Sequence, residues 1–322
     1  VSDAGAQLSL ALAAARAAAR AIACVGDPRA FHKGDASPAT VADLASQVAA
    51  TRALQELAGG AVRIAAEEGM EEIEAHGGAG ILEAVATAVT ASGLPCTAAE
   101  CETALRSARD EGREGCFWTV DPLDGTKGYL RGGQFAVAVA LVMHGHPVIG
   151  VLALPRLGEH GVGEGSGVLV AAVRRHGAWQ TPLMGGRATA LRCAPWTRGG
   201  AVRVAGSVET SHSAVDALEA AAARVGRVES IRMDSQAKYA LVARGSADAY
   251  IRSSPRAEYV ERIWDHAAGV LVAEEAGCRA TDCAGAPLDF GRGRGLEANR
   301  GVVCAVPELH AALLSALATP LG

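Results

Sequence analysis

Aromatic residues are scarce, at 4% of 322 residues, and positive charge is outnumbered: 30 Lys and Arg face 35 Asp and Glu, for a net charge of −5. With no basic surplus, nucleic acid is excluded as the main partner. No apolar stretch reaches the roughly 18–20 residues that would cross a bilayer as a helix, so no membrane partner is expected. Cysteines are present (Cys24, Cys96, Cys101, Cys116, Cys193, Cys278, Cys283 and Cys304), but they are scattered and lack the short paired spacing of a zinc site. In a chain this long they read as reduced thiols of a soluble intracellular protein, in the cytosol or in an organelle such as plastid or mitochondrion. Cys96/Cys101 and Cys278/Cys283 are the pairs close enough in sequence to join. There is no internal repeat and no low-complexity linker. Half of the residues are hydrophobic, ample for a large core in one large domain or two packed ones.

Hydrophobic spacing predicts an amphipathic, Ala-rich first helix over 8–23, with Arg16 and Arg20 and no acid. The same composition fits the remnant of a transit peptide, and because the chain starts at Val1 rather than Met, a removed or omitted segment, targeting peptide or not, is the expectation. Thr40 reads as the N-cap of a second helix over 41–57, with Asp43 three residues on. Residues 63–66 are a short apolar run ending on Glu67-Glu68. Residues 69–112 mix Gly-rich and acidic patches around an Ala/Val stretch; this is the least legible part and reads as an insertion. Strand character marks 117–120, 135–143 and 148–154, the last two joined at Gly145 as a hairpin. His144 and His146 flank that turn and read as solvated rather than as a metal pair. Strand-like runs follow at 168–173 and 188–192. After Pro195 the pattern changes: a strand at 202–205, a helix over 214–225, apolar segments at 237–243 and 249–251, and a helix over 265–275. The alternation is α/β, with an α+β N-terminal part. The domain boundary falls near 197, giving units 1–197 and 198–322. The glycines at 163, 165 and 167, and at 291, 293 and 295, precede no helix and read as loops rather than nucleotide fingerprints.

The run Trp118-Thr119-Val120-Asp121-Pro122-Leu123-Asp124-Gly125-Thr126-Lys127 carries the chemistry. An apolar strand ends at Asp121, and Pro122 prevents a regular ladder from continuing. Two carboxylates then sit three residues apart on a tight turn. Gly125 lets the backbone approach a ligand closely, and Thr126-Lys127 could open a helix whose free N–H groups face an anion. Hard carboxylates beside an anion-binding turn suit Mg²⁺, which takes oxygen ligands and bridges to phosphate. Taken alone, the same residues also fit an Asp-rich turn with a helix cap.

The whole string resembles the inositol monophosphatase superfamily, whose signature is a strand followed by D-P-[LI]-D-G-T. Other parts match in order. Glu67-Glu68 resembles the family's upstream metal-binding glutamates. Trp264-Asp265-His266-Ala267-Ala268-Gly269 resembles its second signature, W-D-x-A-A-G. Ser37-Pro38-Ala39-Thr40-Val41-Ala42-Asp43 resembles the segment whose Asp pairs with the Thr of D-G-T. Within the superfamily the resemblance is closest to the 3'(2'),5'-bisphosphate nucleotidases. It is carried by Val120 to Gly133, Gly206 to Ser213, Met233-Asp234-Ser235-Gln236-Ala237-Lys238-Tyr239, Ile263 to Gly269, and Pro287 to Gly291.

The resemblance implies a layered α-β-α-β-α sandwich of the inositol monophosphatase and fructose-1,6-bisphosphatase type, with its site where two domains meet. It implies Mg²⁺, two or three ions per site, held by Glu67, Asp121, Asp124, Asp265 and the Leu123 carbonyl. Asp43 and Thr126 would orient or deprotonate a water, Asp43 also serving as a capping residue. Gly125 and Thr126 N–H groups would hold phosphate. His212, Ser235, Lys238 and Arg252 would hold the nucleotide. The family usually has an acid and a Ser after the glutamate pair; here Gly69-Met70 follows, which leaves Glu67 and Glu68 both open as first ligand. The expected activity is Mg²⁺-dependent, Li⁺-sensitive release of the 3'-phosphate of 3'-phosphoadenosine 5'-phosphate, extending to the 5'-phosphosulfate, by a monomer with this small molecule as its partner. The alternatives are an inositol phosphate phosphatase of the same superfamily and a non-catalytic nucleotide sensor.

Overall fold

A computed structural model of the protein describes residues 4–27, 30–32, 38–76, 78–208, 220–252 and 259–318. In chain order the elements are α1 (Ala4–Ala23), β1 (Ala30–His32), β2 (Pro38–Thr40), α2 (Val41–Ala58), β3 (Ile64–Ala66), α3 (Met70–Ala75), α4 (Ala79–Ala91), α5 (Ala98–Ser107), β4 (Cys116–Asp124), α6 (Thr126–Leu130), β5 (Ala136–Met143), β6 (His146–Leu154), β7 (Val168–Val173), β8 (Gly177–Pro182) and β9 (Thr189–Ala190). There follow β10 (Val202–Gly206), β11 (Val228–Arg232), α7 (Ala237–Ala243), β12 (Ala249–Arg252), α8 (Ala267–Glu275), β13 (Arg279–Thr281), β14 (Val302–Ala305) and α9 (Pro307–Leu317).

Two large sheets organise most of these elements, and β1 and β2 form a two-stranded antiparallel sheet of their own. A seven-stranded sheet runs β3-β4-β5-β6-β7-β8-β9, and a five-stranded sheet runs β11-β10-β12-β14-β13. The chain passes from one to the other between Ala190 and Val202.

Period-two alternation along the strands sorts their side chains between two cores. Trp118, Val120, Val137, Val139, Leu141, Ile149 and Val151 face α1 and α2. Their neighbours Phe117, Ala136, Ala138, Ala140, Val142, Leu152 and Leu154 face α7 and α8. On the far side of the second sheet, Val204, Ile251, Val303 and Ala305 pack against Leu309 and Leu313 of α9. The order is therefore helix, sheet, helix, sheet, helix, as the resemblance implied.

The apolar face of α1 is mostly alanine, with Ala11, Ala14, Ala15, Ala18 and Ala21 buried, which lets its backbone lie close to α2 and β6. In the middle layer Gly150 of β6 meets the Ala268 backbone of α8 so closely that a Cβ there would lie 2.9 Å from the Ala268 oxygen. Among the described residues, no helix is long and apolar enough to cross a membrane.

Several expectations need correction. Residues 69–112, read as an insertion around an Ala/Val stretch, hold three helices, α3, α4 and α5, and that stretch is α4. The topology requires this, because β3 and β4 pair in parallel, Ile64 opposite Trp118 and Ala66 opposite Val120, and parallel neighbours need a long crossover. Strands β8 and β11 were not legible, since Gly177–Pro182 and Val228–Arg232 are polar or half-buried. Of the helix expected over 214–225, residues 220–223 are helical and 214–219 lie outside the described residues. All eight cysteines are free thiols, as expected. Cys96 and Cys101 do approach, Sγ to Sγ 3.2 Å, but Cys278 lies against Cys193 rather than Cys283.

Candidate active site

The first wall of the site is built at the end of β4. Pairing with β5 is regular to Asp121 opposite Ala138, then slips before resuming at Asp124 opposite Ala136. Pro122 has no N–H to offer the ladder, so the strand bulges there. Inside the bulge the Leu123 N–H donates to Asp121 Oδ1 at 3.2 Å, and Ser46 Oγ donates to the Pro122 carbonyl at 2.5 Å. Gly125, at φ +89°, turns the chain into α6. A Cβ on it would lie 3.2 Å from Ser235 Cβ.

Parallel pairing runs one residue past β3, with the Glu67 N–H donating to Val120 O at 3.3 Å. Glu67 is thereby set beside the Asp121 bulge. Successive side chains on an extended segment point to opposite faces. Glu67 lines the cleft, while Glu68 is 1% exposed and its backbone is held at both ends by Gln47, each bond 2.8 Å.

Thr40 and Asp43 form a complete capping box on α2. Asp43 Oδ2 accepts from Thr40 N–H at 2.8 Å and Thr40 Oγ at 2.6 Å. Its other oxygen, Oδ1, accepts from Thr126 Oγ at 3.0 Å. The capping and water-activating readings of Asp43 thus use different oxygens of one carboxylate.

The opposite wall comes from three separated segments around the second sheet. Ser235 sits at φ +69°, in the left-handed region where a non-Gly residue carries strain. Lys238 is 3% exposed; its Nζ donates to the Met233 carbonyl at 3.3 Å and lies 5.2 Å from the Tyr250 ring centroid. Arg252 Nε pairs with Glu261 at 2.7 Å, and its Nη2 lies 3.6 Å from Asp265.

Between the walls is a cleft of about 360 Å³, lined by Glu67, Asp124, Gly125, Thr126 and Lys127 on one side and by Ser207, Asp234, Ser235, Lys238 and Arg252 on the other. Asp121, Leu123 and Asp265 are expected ligands that do not line it; Asp121 and Leu123 are each 1% exposed and sit inside the bulge, and Asp265 lies beside Arg252, 3.6 Å from its Nη2. His212, a nucleotide-binding expectation, lies outside the described residues, as do Ser37 and the last five residues of the 206–213 string.

Electrostatics mark the carboxylates as wanting a cation. Burial raises the Asp124 pKa and Glu67 adds to the rise, against Lys238, Arg252 and the Gln236 N–H. Burial likewise pushes Asp265 up to about 8; Arg252 opposes the rise, and Asp124 and Glu67 reinforce it. Burial drives Lys238 down to about 8, Asp124 opposing. Carboxylates that raise one another's pKa are an all-oxygen donor set whose repulsion a hard divalent ion would cancel. The donor set therefore fits Mg²⁺ or a similar ion. Glu261, Asp265 and His266 also bring ligand atoms within 4.8 Å of one another. Of these, Glu261 is already engaged by Arg252 and by His266 Nε2 at 3.2 Å.

The family question is settled by the match of residues 6–319 to the model described as the inositol monophosphatase family. The chain belongs to that family. Family members similar to it include a 3'(2'),5'-bisphosphate nucleotidase of Oryza sativa, 36% identical over 304 residues that make up 88% of this chain and 85% of the relative. Another of that name from Emericella nidulans is 39% identical over 240 residues, 67% of this chain and 68% of the relative. Among solved structures, an inositol monophosphatase (IMPase) of Thermotoga maritima shares the fold at a TM-score of 0.66 and 16% identity, over 97% of this chain and 96% of that one.

Several residues at the site were not singled out from the sequence. Asp234 accepts from Arg131 at 2.6 Å and from the Val208 N–H at 3.1 Å, tying α6 to the second wall. Arg294 donates to the Ala66 carbonyl and stacks 4.6 Å over Trp264, tying β3 to the Asp265 turn. Tyr239 OH donates to His266 Nδ1 at 2.7 Å, and burial keeps His266 neutral, leaving its Nε2–H for Glu261. The available signal was position: Asp234, Gln236, Tyr239 and His266 all lie within the two family strings.

Proposed function

We propose that the chain is a Mg²⁺-dependent phosphatase that releases the 3'-phosphate of 3'-phosphoadenosine 5'-phosphate, yielding AMP, and acts on the 5'-phosphosulfate analogue as well. The observation that carries the reading is the charge lining the cleft: Glu67 and Asp124 line one wall beside Lys127, and Lys238 and Arg252 line the other, where Asp234 is paired with Arg131. Such a cleft complements a substrate with one phosphate to be cut and a second to be held. The names of the relatives from rice and Emericella agree with it.

Glu67, Asp121, Asp124, Asp265 and the Leu123 carbonyl would hold two or three Mg²⁺ ions. Bound there, Mg²⁺ supplies charge to the phosphoryl oxygens and lowers the pKa of water. The protein's own part is positional. Asp43 Oδ1 takes the Thr126 hydroxyl proton in a hydrogen bond, so the Thr126 oxygen keeps lone pairs to accept a hydrogen from the attacking water. Gly125 and Thr126 N–H groups hold the phosphate to be cut. Lys238 and Arg252 bind the second phosphate through charge-assisted hydrogen bonds, with Ser235 and His212 toward the nucleoside. Their binding energy, remote from the breaking bond, helps to orient it. Residues 1–197 form the unit with most of the acids and 198–322 the nucleotide-holding unit, in a monomeric enzyme.

The test is phosphate release from 3'-phosphoadenosine 5'-phosphate with and without Mg²⁺, beside inositol 1-phosphate. Turnover that needs Mg²⁺ and favours the nucleotide is the expected result. A preference for inositol 1-phosphate overturns the substrate, and tight binding without turnover makes the chain a sensor.

A further inference from the structure

Asp124 and Asp265 are 141 positions apart in the chain, yet a single uncharged residue reaches the segments that carry both. Gln236 is 2% exposed and immediately precedes α7. Its backbone N–H donates to Asp124 Oδ2 at 2.5 Å. Its side-chain amide faces the other way and uses both ends. Nε2 donates to the Trp264 carbonyl at 2.9 Å, and Oε1 accepts from the Gly269 N–H at 3.2 Å. Trp264 and Gly269 bracket Asp265, so one planar amide spans the turn on which Asp265 sits.

The neighbours of Gln236 restrict its movement. Ser235, at φ +69°, lies against Gly125 on one side. Tyr239, on the first turn of α7, packs its ring against Gly269 so closely that a Cβ there would collide with it. Only a glutamine fits this position. Its amide supplies one donor and one acceptor at the reach required, where a glutamate has no donor and an asparagine is one methylene shorter. Its Nε2 and its Oε1 are each held by a backbone partner, so the amide is pinned from both ends in a buried setting.

We propose that Gln236 is a positioning residue: it touches neither substrate nor metal, and it sets the placement of Asp265 relative to Asp124 and thereby the affinity of the cleft for a divalent cation. The inference rests on the metal-dependent phosphatase reading above. Losing a residue that orients metal ligands typically costs about 10–100-fold in metal affinity.

The probe is Mn²⁺, titrated into the metal-free protein and followed by the loss of its free electron paramagnetic resonance signal. Three variants are compared. Gln236→Met keeps the length and the backbone N–H but removes both amide bonds. Gln236→Glu keeps the acceptor for Gly269 and loses the donor. Val242→Ala loosens the same helix at a buried site that makes no bond to either segment. Circular dichroism and thermal melting of the metal-free proteins identify the folded ones. The expected result is a Kd for Mn²⁺ raised about 10–100-fold in Gln236→Met and less in Gln236→Glu, with Val242→Ala unchanged despite a lowered melting point. In turnover assays the Mg²⁺ concentration for half-maximal rate should rise in the same order. Wild-type affinity in both folded Gln236 variants overturns the inference, as does an equal loss in Val242→Ala, which would make the effect general loosening. Wild-type protein that neither binds Mn²⁺ nor responds to Mg²⁺ overturns the phosphatase reading itself.

Discussion

The two walls of the cleft are built on different principles. The acidic wall is mostly local: Asp121, Leu123, Asp124, Gly125 and Thr126 are consecutive or nearly so and are arranged by the bulge at Pro122 and the positive φ at Gly125, with Glu67 brought in from the end of β3. The cationic wall is assembled: Ser235, Lys238 and Arg252 come from two segments, and a hydrogen-bonded chain through Tyr239, His266 and Glu261 ties Arg252 to the turn that carries Asp265. A local wall keeps its geometry through backbone sterics within a few residues. An assembled wall keeps it only while each buried hydrogen bond is satisfied, since an orphaned polar group there costs about 1–3 kcal/mol. Changes on the acidic wall should therefore strike the chemical step, and changes on the cationic wall should strike substrate selection.

The largest effect is expected at Thr126. Thr126→Val keeps the shape and removes the hydroxyl between Asp43 and water, and loss of such a proton-handling group costs roughly 10²–10⁴-fold in kcat. Thr126→Ser should recover most of it. Equal rates for Thr126→Val and wild type would remove the water-orienting role from this wall.

Asp124→Asn comes next, with a loss of at least about 100-fold. Burial raises the Asp124 pKa in the metal-free protein, so removing the charge should raise the melting point without metal while abolishing the extra stability that Mg²⁺ confers. Melting curves with and without Mg²⁺ test both signs. A variant still stabilised by Mg²⁺ as strongly as wild type would show that Asp124 holds no ion.

On the cationic wall, Arg252→Ala removes charge-assisted hydrogen bonds worth roughly 1.5–3 kcal/mol, or about 10–150-fold in kcat/KM on the bisphosphorylated nucleotide. Because Arg252 also pairs with Glu261, Arg252→Lys is the gentler companion. With a monophosphate lacking the second group, the loss should be far smaller. An equal loss on both substrates would erase the functional difference between the walls.

The smallest effect concerns pH. Burial lowers the Lys238 pKa to about 8, so its charge is present below that pH and lost above it. The KM for the bisphosphorylated nucleotide should rise about three- to tenfold between pH 7 and 9. Lys238→Met should be flat across that range, and a pH step that survives in it would assign the titration elsewhere. Between about 8 and the ordinary 10.5, the unfolded chain binds this proton more tightly than the folded one, so Lys238 makes stability rise with pH across that window.

The sequence by itself carried what short-range geometry dictates. Thr40 and Asp43 form the expected capping box because N-cap and N3 meet across a single turn. Asp121-Pro122-Leu123-Asp124-Gly125 had to turn, because a proline cannot continue a ladder. Strands 137–142 and 149–154, apolar at nearly every position, had to be covered on both faces. Only the tertiary structure decided the rest. Glu67 rather than Glu68 lines the cleft because parallel pairing with Val120 extends one residue past β3. Residues 69–112 became three helices because they must carry the chain between two parallel strands. Gln236 and Glu261 acquired their roles from partners that no local pattern could supply: Trp264 lies 28 positions from Gln236, and Arg252 lies on a different strand from the Glu261 loop. Backbone sterics act over a few residues and can be read in order along a chain, whereas buried hydrogen bonds between distant segments exist only once packing has excluded water from both.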